Sequence, residues 1–177
     1  MTVTLTDAAI ALSSLHTLGA LLGAGSVTLA EWWYLHGVAH GKLDAVETRH
    51  IKSTFFGLRW GMSLVLLSGL GLIVVEYFLP EVPQHVLFTP FWMTNALTVL
   101  ILILGFLLSR KLVPLWFGGS ASFTAWWMIV LLDASHVQGT TPSFVSLCIS
   151  YVVTTILVVF SLACIRGMLR AHQQKTI

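Results

Sequence analysis

Charge is what this chain has least of. Only 9% of its 177 residues are Asp, Glu, Lys or Arg, against about 25% in an ordinary soluble domain. A water-facing surface cannot be built from so little charge, and 56% of the residues are hydrophobic. The starting class is therefore an integral membrane protein forming one domain over residues 1–177. Cysteine is nearly absent too. Cys148 and Cys164 lie in one apolar run, and as a helix that run separates them by about 24 Å. That excludes an intrachain disulfide and leaves both as small inert hydrophobes. The chain lacks a Walker A loop, a G-x-S-x-G elbow, a dinucleotide fingerprint and a C-x-x-C-H haem-attachment motif, which excludes the activities those motifs carry. Nothing basic and aromatic enough for a nucleic-acid surface is present, so no nucleic-acid partner is expected.

The long apolar runs that remain predict an all-α polytopic membrane protein with five transmembrane helices in an antiparallel bundle. The first run, Ala8–His36, exceeds what is needed to cross a hydrocarbon core of about 30 Å at about 1.5 Å per residue. It ends in Glu31-Trp32-Trp33, not in a small-residue cleavage site, and Met1–Asp7 has no basic segment. It is expected to stay in the protein as a membrane span. Asp44-Ala45-Val46-Glu47 has capping-box spacing, so the second helix should start near Ala45 and occupy the bilayer over 51–78. Pro80 and Pro83 then break the chain, and Pro90 suits the first turn of a third span over 90–109. Pro114 and Gly118-Gly119 read as the following turn, with spans over 120–134 and 143–165 after it.

Basic residues sort onto one side of such a bundle. Lys42, Arg49, Lys52 and Arg59 flank the first loop, Arg110 and Lys111 the third, and Arg166, Arg170 and Lys175 the C-terminus. The positive-inside rule then puts the N-terminus outside, the C-terminus inside, and the protein in a bacterial-type inner membrane. Trp32, Trp33, Trp60, Trp116, Trp126 and Trp127 fall towards the inner ends, as an aromatic belt would. Asp7, Glu76, Glu81 and Asp133 fall on the outer side.

Three constellations hold groups able to do chemistry. Glu31 and Arg59 flank the first inner loop at comparable depth. An unpaired charge there costs at least about 2.5 kcal/mol, so an intramembrane Glu31–Arg59 pair is expected, as a helix lock or as a gate or proton-relay pair, beside the reading in which Arg59 snorkels to the inner headgroups. His16 lies about two turns into the first helix, at a level reached by Asn95, Thr98, Asp133 and His136. It can be a satisfied bundle histidine bonded to Asn95 or a carbonyl. It can also be an axial ligand of a b-type haem, with His136, or else His85, opposite, a proton acceptor, or part of a copper or zinc site with Asp133. His36 and His40 are spaced i, i+4, and Glu47 and His50 i, i+3, which gives His36, His40, Glu47 and His50 as a candidate metal shell beside the reading of solvated interface histidines.

Gly19 with Gly23, and Gly57 with Gly61, have the small-xxx-small spacing that lets helices approach closely in lipid. The fifth helix, apolar nearly all round, suits lipid, a second copy of the chain, or a partner in a larger membrane complex.

Leu15-His16-Thr17-Leu18-Gly19, followed by small residues, resembles the opening of several families of small bacterial inner-membrane proteins with a Leu-His first helix. The copper-resistance D domain and the HemJ-type protoporphyrinogen oxidase are examples. The resemblance to the latter implies a haem-binding role for His16. HemJ-type proteins also use a lysine within a later helix, and this chain has no lysine in a span interior. A wider pattern is similar to bacterial inner-membrane proteins of this length: Thr28, Glu31, the basic first loop, Arg59-Trp60-Gly61, Ser68-Gly69, Asn95 and Ala121-Ser122-Phe123-Thr124-Ala125-Trp126. Three functions follow as expectations: a haem or other redox centre in the outer half, a proton or cation pathway from Asp133 and His16 to Glu31 and Arg59, or an accessory subunit of a membrane complex.

Overall fold

In the computed structural model, residues 5–39, 45–78, 88–135 and 142–174 are described. They form five helices: α1 (Leu5–Ala39), α2 (Ala45–Phe78), α3 (Thr89–Ser109), α4 (Leu115–Ser135) and α5 (Phe144–Gln174). All five contain a window long and apolar enough to cross a membrane, and the described residues hold no strand. The chain is an all-α, five-helix integral membrane protein.

The helix starts follow local chemistry. α2 begins at Ala45 with Glu47 in its first turn, where a carboxylate favours the helix dipole; Asp44 lies outside the described residues. α3 has Pro90 in its first turn after an extended Phe88. Ser143 caps α5 by accepting the Ser146 N–H at 3.2 Å. α3 ends in a Schellman arrangement. Leu112 N–H donates to Leu107 C=O and Lys111 N–H to Leu108 C=O, both at 3.0 Å. Lys111 occupies the left-handed position with φ 57°.

One expected boundary moves. α4 starts at Leu115, directly after Pro114, and Gly118-Gly119 lies inside its first turns, not in a loop. The reason is packing. A Cβ on Gly118 would come within 2.7 Å of the Leu108 side chain, so the glycine lets α4 close onto α3. α5 also continues past Arg166 and Arg170 to Gln174.

α1 and α4 are the centre of the bundle. α1 packs on α2, α4 and α5, and α4 on α1, α3 and α5. α1 and α2 run antiparallel with backbones nearly touching. A Cβ on Gly19 would lie 2.9 Å from Gly61 O, and one on Gly61 would lie 2.8 Å from Gly19 O and from Gly23 N. Small-xxx-small spacing is thus used for close approach.

On the α4 side, Gly23 leaves a slot filled by the indole of Trp126. Trp126 is completely buried with Ala20, Ala24, Leu97, Ile101, Ala125 and Ile129. It is therefore a core plug between α1 and α4 and no member of an interfacial belt. α5 is the outlier. Its span is almost wholly exposed, with Val145, Ile149, Val152, Ile156 and Phe160 turned outward. That apolar face fits contact with lipid.

Candidate functional site

Two polar centres sit on α1, one on each side of the Trp126 plug. The first surrounds His16, which is buried. Its Nδ1 lies 3.1 Å from Ser68 Oγ on α2. The Ser68 hydroxyl lies 2.5 Å from the Leu64 carbonyl, an approach that needs the hydroxyl proton between the two oxygens. Ser68 Oγ has no second proton, so it must accept from His16 Nδ1–H. In that tautomer Nε2 is the basic nitrogen. Nε2 faces Asp133 Oδ1 of α4 at 3.9 Å.

α3 closes the group. The Asn95 amide donates to Phe91 C=O at 2.9 Å. A Cβ on Gly69 would lie 3.6 Å from both Asn95 Oδ1 and His16 Cε1, which places Asn95 beside the imidazole. Thr98, fully buried, donates to Thr94 C=O at 2.8 Å. Ser13, His16, Thr17, Leu72, Phe91, Thr94 and Asp133 line a cavity of about 80 Å³. Asp133 Oδ2 and Thr94 Oγ1 are buried with no hydrogen-bond partner among the described residues. Buried polar atoms of this kind are ordinarily satisfied by water, and this volume holds one or two waters at about 30 Å³ each.

Glu76, near the end of α2, is 2% exposed and so a buried group. Ser68, given no functional reading in the sequence, is the side chain that meets His16 Nδ1.

The second centre is on the other side of Trp126. Glu31 Oε1 forms a salt bridge with the Arg166 guanidinium of α5, and that guanidinium also stands over the Tyr34 ring, 4.8 Å from its centroid. The expected partner, Arg59, is not the ion-pair partner of Glu31. Gly57 and Gly61 face α1, and a residue midway between them points away from that interface. Arg59 is exposed instead, on the wall of a 260 Å³ cavity that Glu31 also lines. Helix five supplies the counter-charge because its basic end returns to the level where α1 carries Glu31. The Trp127 indole N–H nearby donates to Thr28 Oγ1 at 3.0 Å, tying α4 to α1.

The histidines at the α1–α2 junction are arranged otherwise. His36 Nε2 is 3.8 Å from Glu47 Oε1. His50 is stacked on Trp33, with centroids 4.5 Å apart and planes 9° from parallel. His40 lies outside the described residues, as do His136 and His85. Among the described residues no group of three His, Cys, Asp or Glu side chains is disposed to hold a metal ion. Cys148 and Cys164 are free thiols.

The fold and its two buried polar centres define an integral membrane protein with ionisable groups held inside the bundle. No protein-family model, curated protein or solved structure matches the chain.

Proposed function

We propose that this protein is a proton-coupled carrier of a bacterial-type inner membrane, with His16 and Asp133 as its proton-accepting centre. One observation carries the reading: Nε2 of a buried imidazole faces a half-buried carboxylate across 3.9 Å, beside a polar cavity. Ionisable groups held inside a membrane bundle are functional candidates because their burial is costly. The Ser68 hydroxyl holds the imidazole in the orientation that offers Nε2. A proton entering the cavity finds two acceptors on different helices, so taking it up strengthens the contact between α1 and α4. The completely buried Trp126 closes the route towards the second centre. That favours a carrier that opens its two sides alternately over a continuous pore.

The test is proton flux into proteoliposomes under imposed pH and voltage gradients. The wild-type protein should relax the gradient faster than empty liposomes, and His16→Ala should lose that excess. Flux equal to that of empty liposomes under every gradient would end the proposal.

Haem ligation is the second reading. It uses the same residue, since axial ligation is made through an imidazole nitrogen such as His16 Nε2. A Soret band in the purified protein that disappears in His16→Ala would favour it over the proton reading.

A further inference from the structure

The cavity beside Glu31 and Arg59 has no part in the proton centre. It is 260 Å³ and opens between α2, α3 and α4, against the face of α1 that carries Glu31. Its walls are almost entirely apolar, with Phe55, Leu58, Met62, Ile101 and Leu108 prominent. Phe55 is exposed, so the mouth faces the medium that surrounds the bundle. Gly105 forms part of the wall, and a Cβ there would meet nothing within 4 Å. The space is real and no side chain fills it.

Two charged groups line it, and they are not equivalent. The Glu31 carboxylate is matched by Arg166. The Arg59 guanidinium has no ion-pair partner among the described residues and stands exposed at the wall. Arg59 also belongs to the chain's basic side, on the helix that carries Arg49 and Lys52. Basic pockets between membrane helices on that side suit anionic lipid headgroups, and guanidinium pairs with a phosphate through parallel hydrogen bonds.

We propose that this cavity is a binding site for an anionic phospholipid of the bilayer, its phosphate on Arg59 and one acyl chain laid between α2 and α3. The complementarity is twofold: an unmatched cation at the mouth and an apolar interior behind it. The site stands independently of the proton reading, because none of its residues belongs to the His16 centre.

The experiment reconstitutes the protein in nanodiscs holding phosphatidylglycerol and phosphatidylcholine in equal amounts and counts retained lipid by native mass spectrometry. Wild-type protein should retain phosphatidylglycerol in preference. Arg59→Gln should reduce that preference about tenfold, the worth of one charge-assisted contact. Gly105→Leu adds a side chain at the cavity wall, where a Cβ meets nothing within 4 Å, and should lose the lipid. Gly25→Leu, also at a position with nothing within 4 Å but outside the cavity, should retain it. Equal retention of the two lipids by the wild type would overturn the proposal. So would unchanged retention in Gly105→Leu, or equal loss from both leucine variants. Added oleate held in place of phosphatidylglycerol would overturn the phospholipid as the occupant.

Discussion

The two polar centres share one helix and are built on opposite principles. At the inner one, Glu31 meets a fixed positive charge on α5, and the guanidinium also covers the Tyr34 ring. At the outer one, His16 faces Asp133 across 3.9 Å, with Ser68, Thr94, Asn95 and a small cavity around them. At the inner centre, the partner of the carboxylate is a guanidinium, a group that stays charged. At the outer centre, a carboxylate faces an imidazole, and both are groups that can take up a proton. The comparison teaches that a fixed guanidinium charge marks the structural centre of this bundle, and an imidazole facing a carboxylate marks the proposed chemical one.

The comparison is broken most strongly at the inner centre. Glu31→Gln leaves Arg166 buried without its counter-charge and should cost about 3–5 kcal/mol, seen as a large drop in thermal unfolding temperature in detergent. Removing both charges, with Glu31→Gln and Arg166→Met, should restore most of the loss. A double variant no better than the single one would show that the pair does not act as a unit.

Next is the plug that separates the centres. Gly23→Val pushes into the Trp126 indole and should destabilise by about 1–3 kcal/mol through overpacking. Gly25→Val, which meets nothing within 4 Å, should stay close to wild type on the same helix. Equal losses at the two positions would mean that the slot for Trp126 is not what Gly23 provides.

The outer centre should respond less in stability and more in function. Ser68→Ala removes the acceptor of the His16 Nδ1–H bond and should cost about 1 kcal/mol, while lowering proton flux by releasing the imidazole from its orientation. A flux unaffected by this change would separate Ser68 from the proposed chemistry. The smallest effect lies away from both centres. Lys111→Gly relieves a lysine held at φ 57° and should stabilise by about 0.5–1 kcal/mol. No gain in unfolding temperature would show that the left-handed position is not strained.

Much of this was legible in the sequence because the bilayer imposes so few solutions. Long apolar runs, broken by Pro80, Pro83, Pro114 and Pro142, give five helices with little ambiguity. The level shared by His16, Asn95, Thr98 and Asp133 follows from counting residues inwards from the outer ends, which works when short connections hold neighbouring spans in register. The same counting misled at Glu31. Depth alone pairs it with Arg59, but pairing also requires facing sides, and Arg59 lies between the two glycines that α2 turns towards α1. Arg166 was invisible for a different reason: nothing in a sequence fixes how the fifth helix crosses the first. Trp126 was read as interfacial from its type and position. Only the opposite residue, Gly23, makes it a core plug, and that pairing spans two helices. Gly118-Gly119 was read as a turn because glycine serves both for turns and for close helix contacts, and local sequence does not distinguish the two.

The measurement that bears most directly on the central claim is proton flux in proteoliposomes, with Asp133→Asn compared against the Glu31→Gln, Arg166→Met double variant. If the outer pair is the proton-accepting centre and the inner pair a structural lock, Asp133→Asn falls to the level of empty liposomes. The double variant, once folded, keeps most of the wild-type rate. The opposite result, flux surviving in Asp133→Asn and lost from the double variant, would contradict the account.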